Sequence, residues 1–414
     1  MINVAVIVFL ASCSSKEKTP ERELYRPLHH FSPQKNWIND PNGLVYYEGE
    51  YHLFFQYNPY ANKWGHMSWG HAVSKDLIHW KELPVAIEEY KDVEGDSVMI
   101  FSGSAVVRQN RIIAIFTGHK PGRQNQNIAF SSDSGRTFTL YKANPVLDID
   151  RKDFRDPKVF WYEPQKKWVM AAVIPDQYKV NLYESKDLKS WSFLSDFGKV
   201  GDTMKIWECP DLFEVSNKWV LMLSGSHPQG GPFVGMQYFV GDFNGTKFTI
   251  DEPSRYPLYV DYGKDFYAGV TYNNEPNGRR IMIGWANNWA YAGDLPTSPW
   301  KGGMSLPREI TLGPDMKLRQ IPITDMTPRK VSLAPSDTIH VLGCVIGYEN
   351  DSVYLDRRNA GNISFNKNFP SIEKAPARLI DGKVKLNIYV DQAIIEIFIN
   401  DGEAVISDQM FINH

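Results

Sequence analysis

Trp37-Ile38-Asn39-Asp40-Pro41-Asn42-Gly43 sets a carboxylate, Asp40, in a stiff turn ahead of the strand formers Leu44-Val45-Tyr46-Tyr47. Pro41 fixes its own φ and pushes Asp40 toward extended backbone, and Asn42-Gly43 tolerate positive φ. Alone, such a cluster marks a surface turn. Its weight comes from recurrence. Residues 44–47, 48–50 and 51–56 read as strand, polar turn, strand, and the same reading returns over 104–117, 158–173, 212–224 and 268–285. All five segments carry aromatic and β-branched residues around polar turns, the signal of a hairpin. Just ahead of them stand Asp40, Ser102, Asp156, Glu208 and Asp265, spaced 62, 54, 52 and 57 residues apart.

A second marker keeps the same interval. Ser74-Lys75-Asp76-Leu77-Ile78-His79-Trp80 returns as Ser185-Lys186-Asp187-Leu188-Lys189-Ser190-Trp191, with looser copies over 132–138 and 241–248. A repeat of about 55 residues holding about four strands is the signature of a propeller blade. The prediction is an all-β chain, a five-bladed β-propeller over 26–312 with the first hairpin strand of each repeat innermost. Residues at the starts of those strands would meet at one mouth of the central channel, and four of the five marked positions are carboxylates. The competing architecture is an antiparallel sandwich with coincidental spacing. Residues 313–330 carry Gly, Pro and charges and read as a linker. From 331 to 414 short strands resume, with a hairpin around Asp391-Gln392 and a strong turn at Asn400-Asp401-Gly402, so a small C-terminal β-sandwich is expected.

The composition bounds the function. The chain has 414 residues, 43% hydrophobic and 13% aromatic with 12 Trp. That suits β structure and also sugar clefts, where flat rings stack on apolar sugar faces. A net charge of −3 with no basic block gives no support to nucleic-acid binding. No apolar run approaches the ~20 residues of a membrane span. Cys13, Cys209 and Cys344 are too few for a disulfide framework and lack metal-site spacing, so Cys209 and Cys344 read as buried thiols. Residues 2–12 are apolar and too short to span, and Leu10-Ala11-Ser12-Cys13 resembles a bacterial lipobox. Residues 1–25 therefore read as a lipoprotein-type signal and polar tether, with lipidation at Cys13. The expected place is across the inner membrane, anchored in the outer membrane or facing the periplasm.

Two further stretches carry chemistry. Phe154-Arg155-Asp156-Pro157 repeats the Asp-Pro step, and Arg155 can fork onto a carboxylate or sugar hydroxyls. Trp207-Glu208-Cys209-Pro210-Asp211 sets a Glu between an indole and a thiol, and apolar neighbours raise a carboxyl pKa, as a general acid requires. With Phe101-Ser102-Gly103-Ser104, these stretches and 37–43 resemble, in order and spacing, the signature motifs of the invertase, inulinase and levanase family, glycoside hydrolase family 32. The stretch from Val390 to Gly402 resembles that family's C-terminal sandwich, here short.

The resemblance implies retaining hydrolysis of β-fructofuranosides, exo-acting and releasing fructose. Asp40 would attack the anomeric carbon, Glu208 would act as acid and then base, and Asp156 would hold ring hydroxyls. Asn39, Gln56, Trp64, Ser102, Arg155 and Asp265 would line the pocket, Trp37 and Phe101 would wall it, and Trp289 is a further candidate. The expected partner is a fructan or fructo-oligosaccharide. No cofactor and no metal are expected, and His66 and His71 read as hydrogen-bonded structural histidines. The alternatives are a fructosyltransferase, an arabinofuranosidase of the sister propeller family, and a non-catalytic glycan-binding lipoprotein.

Overall fold

The computed structural model describes residues 23–203, 206–226, 235–250 and 252–412; the apolar leader and Cys13 lie outside them. All five expected hairpins are present. Tyr47 pairs with Glu50, Val107 with Ile112, Tyr162 with Lys167, Val215 with Lys218 and Thr271 with Met282. Their first strands are Asn36–Tyr47, Ser97–Val107, Arg155–Tyr162, Ile206–Val215 and Tyr267–Thr271. Each neighbours the next, and the fifth returns to the first. The chain is a five-bladed β-propeller followed by a β-sandwich.

Apolar residues fill the seams between blades. Val106 and Ile115 of the second blade meet Met170 and Trp168 of the third, and Val169 and Leu182 of the third meet Leu212 and Phe239 of the fourth. Each such side chain, taken out of water, contributes roughly 1.5–3 kcal/mol before the entropy of ordering it. The Ser-Lys-Asp-Leu marker has a local cause. Ser74 Oγ accepts the N–H of Leu77, and Asp76 Oδ1 accepts those of Ile78 and His79. Ser185 and Asp187 repeat this on Leu188, Lys189 and Ser190. The motif is a side-chain-stapled turn after the third strand of the first and third blades, and its leucine plugs the core.

Ring closure joins the first and fifth blades. Asn273 N–H donates to Leu44 O and Asn273 O accepts from Tyr46 N–H, while Asn274 Nδ2 reaches Tyr46 O. The expected propeller boundary at 312 needs correction. Leu318–Pro322, inside the stretch read as linker, pairs with Arg308–Leu312 as the outermost strand of the fifth blade. The strand is only five residues long, carries one charge, Arg319, ends at Pro322 and follows the charged turn around Asp315 and Lys317, so the stretch reads like a loop.

The sandwich stacks two four-stranded sheets. One runs Arg329–Leu333, Val384–Asp391, Ile394–Ile399, Ala404–Gln409, and includes the expected hairpin and turn. It is fixed to the propeller by buried charges. Arg308 of the fifth blade pairs with Asp261 at 2.8 Å and with Glu396 of the sandwich at 3.2 Å. His30 pairs with Asp391 at 2.9 Å, and Asp391 also accepts the backbone N–H groups of Leu28, His29 and His30.

Candidate active site

Every innermost strand breaks its register near one mouth of the channel. The breaks fall between Ile38 and Pro41, Ile100 and Gly103, Arg155 and Lys158, Glu208 and Asp211, and Tyr267 and Val270. A bulge bends the strand and re-aims its side chains. Asp40 thus lies inside the bulged strand Asn36–Tyr47 and not in the turn expected from sequence. Directly after the last regular pair, Asp156, Cys209 and Ala268 hold φ of 61, 48 and 52°, in the left-handed region. These three positions are structural equivalents, and so are Arg155, Glu208 and Tyr267 just before them.

The alignment corrects one expectation. The fifth blade offers Tyr267, not Asp265, to the mouth. Asp265 is 1% exposed and faces the sandwich, where it pairs with Arg357 at 2.5 Å and accepts from Tyr291 OH at 2.6 Å and Gln409 N–H at 2.8 Å. Standing two residues before the bulge, it serves the domain interface.

A cavity of about 420 Å³ opens at this mouth, within the range of small-molecule sites. Its deep end holds Asn39, Asp40, Gln56, Ser102 and Asp156, all buried; Arg155 and Glu208 stand beside them. Trp64, 46% exposed, stands at the rim with Phe101 and Trp289. Trp37, expected in the wall, lies behind it at 2% exposure. Its indole donates to Asn39 Oδ1 at 2.8 Å and stacks on Trp289 at 6.0 Å. Below the carboxylates the channel is nearly filled. A void of only about 20 Å³ remains among Pro41, Gly103, Pro157 and Pro210. Lys158 and Asp211 close it with a buried ion pair at 2.9 Å. The cavity is therefore blind.

Ser102 Oγ donates to Asp40 Oδ2 at 2.5 Å and Asn39 Nδ2 to Oδ1 at 3.0 Å, which fixes the carboxylate plane. Cys209 Sγ lies 3.7 Å from Asp40 Oδ2, and the Cys209 N–H donates to Asp156 Oδ2 at 2.9 Å. Arg155 Nη2 donates to Glu208 Oε1 at 3.0 Å, and Tyr267 OH donates to Glu208 Oε2 at 2.5 Å. Arg155 Nε lies 3.9 Å from Asp156. Burial raises Asp40 above the ordinary carboxyl range, against the Ser102 and Asn39 hydrogen bonds, and the Glu208 charge adds to it. Burial pushes Asp156 up to about 7, with Arg155 opposing and Glu208 reinforcing. Burial, then the three carboxylates, holds the Cys209 thiol well above its usual range, so it stays neutral.

Sequence reasoning missed Tyr267, His119, Gln124 and Asp153. The last three also line the cavity. The run Arg123-Gln124-Asn125-Gln126-Asn127 carried a usable signal, because four consecutive amides fall on both faces of a strand and are costly to bury without partners. Gln124, Gln126 and Asn127 are in fact buried. His71 is buried against His52, nitrogen to nitrogen at 3.0 Å, and His66 pairs with Glu89 at 2.7 Å.

A deep carboxylate held by a hydroxyl and an amide, facing a second held by an arginine and a phenol at a blind propeller mouth, defines a glycoside hydrolase. Comparison with known proteins gives the family. Residues 30–322 match the glycosyl hydrolases family 32 N-terminal domain and residues 342–413 the family 32 C-terminal domain, so the chain belongs to that family. It is 41% identical to a levanase of Bacillus subtilis over 99% of this chain and 70% of that one. The crystal structure of an exo-inulinase from Aspergillus awamori superposes with a TM-score of 0.86 at 35% identity, covering 94% of each chain. That of a fructofuranosidase from Schwanniomyces occidentalis complexed with fructose gives 0.84 at 34%, covering 94% and 93%.

Proposed function

We propose that this enzyme cleaves terminal β-fructofuranosidic bonds of fructans, fructo-oligosaccharides or sucrose with retention and releases fructose. The observation that carries the reading is the pairing of Asp40 and Glu208 in one blind cavity. Asp40, its plane fixed by Ser102 and Asn39, attacks the anomeric carbon of the terminal fructosyl unit. Glu208 gives its proton to the leaving oxygen, and a covalent fructosyl-enzyme forms. Glu208 then takes a proton from water as the water displaces Asp40. Asp156 and Arg155 hold ring hydroxyls, and charge-assisted hydrogen bonds of this kind strengthen as the ring becomes positive. The depth of the cavity, with Asp40 and Asp156 buried at its inner end, supports exo action, because a chain end can reach into a pocket that a chain middle cannot enter. The names levanase and extracellular exo-inulinase among relatives support an enzyme working outside the cytoplasm. The apolar run before Cys13 supports a lipid anchor there.

Sucrose, inulin and levan are incubated separately with the protein and with Glu208→Gln, and products are followed by chromatography. Fructose appears first, and the variant loses roughly 10²–10⁴-fold in kcat. A ladder of oligosaccharides would mean endo cleavage, and binding without turnover would remove the roles of all three carboxylates. Fractionating the producing cells tests the anchor, and activity confined to the medium would exclude it.

A further inference from the structure

We propose that His119 is a specificity-determining residue that binds the sugar unit on the leaving side of the scissile bond. This rests on the reading above, in which the deep end of the cavity takes the fructosyl unit being transferred. Below the carboxylates the channel narrows to a void of about 20 Å³, so the remainder of the substrate passes the rim. His119 is on that rim, near the end of Ile112–Lys120, the second strand of the second blade.

Its ring lies flat on Phe101, centroids 4.3 Å apart and planes 7° apart. Phe101 precedes Ser102, the residue that holds Asp40, so the imidazole sits against a rigid part of the site. Gln124 fixes its tautomer. Gln124 Oε1 accepts the Phe154 N–H at 2.9 Å and Arg155 Nη1 at 3.3 Å, so its nitrogen faces the histidine and donates to Nδ1 at 3.2 Å. An accepting Nδ1 leaves the proton on Nε2. Burial, reinforced by the Arg155 charge and opposed by Asp153, lowers the imidazole below its ordinary range, so the ring is neutral near pH 7. Among the described residues nothing hydrogen-bonds Nε2, and that N–H is available to a sugar hydroxyl. His119 is itself half-buried, which strengthens such a bond relative to one in open water.

The same hydrogen bonds connect the rim to the reacting centre. His119 is linked to Gln124, Gln124 to Arg155, and Arg155 to Glu208. A sugar that engages His119 therefore meets a group tied to the carboxyl that serves its own departing oxygen. Among the described residues no other histidine lines this cavity.

The test compares substrates that share the fructosyl unit and differ in what leaves. Wild type, His119→Ala and His119→Gln are assayed on methyl β-fructofuranoside, sucrose and short levan and inulin oligosaccharides. In His119→Ala, kcat/KM for the sugar-leaving substrates falls about tenfold more than for the methyl fructoside, with the loss in KM. His119→Gln keeps a donor and recovers part of it. Equal losses on all substrates, or none, would overturn the assignment, because a structural role cannot tell one leaving group from another. A wild type that turns over no fructoside would remove the parent reading first, and with it this one.

Discussion

Asp156 is a buried carboxyl whose burial works against its own ionisation. Its folded pKa of about 7 lies above the ordinary 3.8, so the folded state holds the proton more tightly than the unfolded chain between those values. Stability therefore falls as pH rises through that window, because the charge must form without water. Asp156→Asn removes the charge at nearly constant shape. We expect it to raise Tm by ~2–4 °C at pH 8 and by less at pH 5, with activity lost. Calorimetry at both values checks it, and a gain that is larger at pH 5 would reverse the sign. At this scale the three carboxylates were legible because each sits in a short motif with a proline or aromatic beside it. Tyr267 and His119 were not. Their importance depends on where a strand breaks register and on which ring faces which, and neither is carried by neighbours in sequence.

The innermost strands are where small sequence details become geometry. Gly103 is a case: a Cβ there would lie 2.1 Å from Ile115 O and 2.8 Å from Phe116 Cα. Gly103→Ala must push this strand off its neighbour and carry Ser102 away from Asp40. A loss of about 1–3 kcal/mol is expected, together with a fall in kcat. Urea melts and initial rates measure the two, and a variant that melts early yet keeps full kcat would show that strand position and catalysis are uncoupled. The hairpins were readable from sequence because aromatic and β-branched runs flank polar turns at a steady interval. The bulges were not. Asn39-Asp40 looked like part of a turn because Pro41, Asn42 and Gly43 serve equally well in an irregular strand, where Gly43 takes φ +55°. The marker at Asp265 failed for a related reason: spacing fixes a repeat only to within a few residues, and Asp265 stands two residues ahead of Tyr267, before the strand begins.

Across the whole molecule, buried charge joins propeller to sandwich. His30 is fully buried beside Asp391 and Glu396, which raise its pKa to about 9 against desolvation. Its folded pKa exceeds its unfolded one, so its contribution is complete below pH 6.5 and is lost as pH rises through about 9. His30→Gln is expected to lower Tm by roughly 3–6 °C at pH 6, with the gap closing by pH 9.5. Thermal scans across that range decide it, and a gap that widens toward alkali would contradict the linkage. The two-domain plan was legible from the repeat and its end. The boundary was not, since a short outer strand that follows a charged turn and ends at a proline reads like a connecting loop. The Asp391 cap on Leu28, His29 and His30 also spans 363 residues of chain. During synthesis the segment leading into Asp40 is made long before the carboxylate that secures it. Blade closure through Asn274 and Tyr46 spans a further long loop, 228 residues. Long-range closures of this kind slow folding. A nascent chain of this enzyme therefore carries the segment leading into Asp40 without its Asp391 cap until 363 further residues have been added.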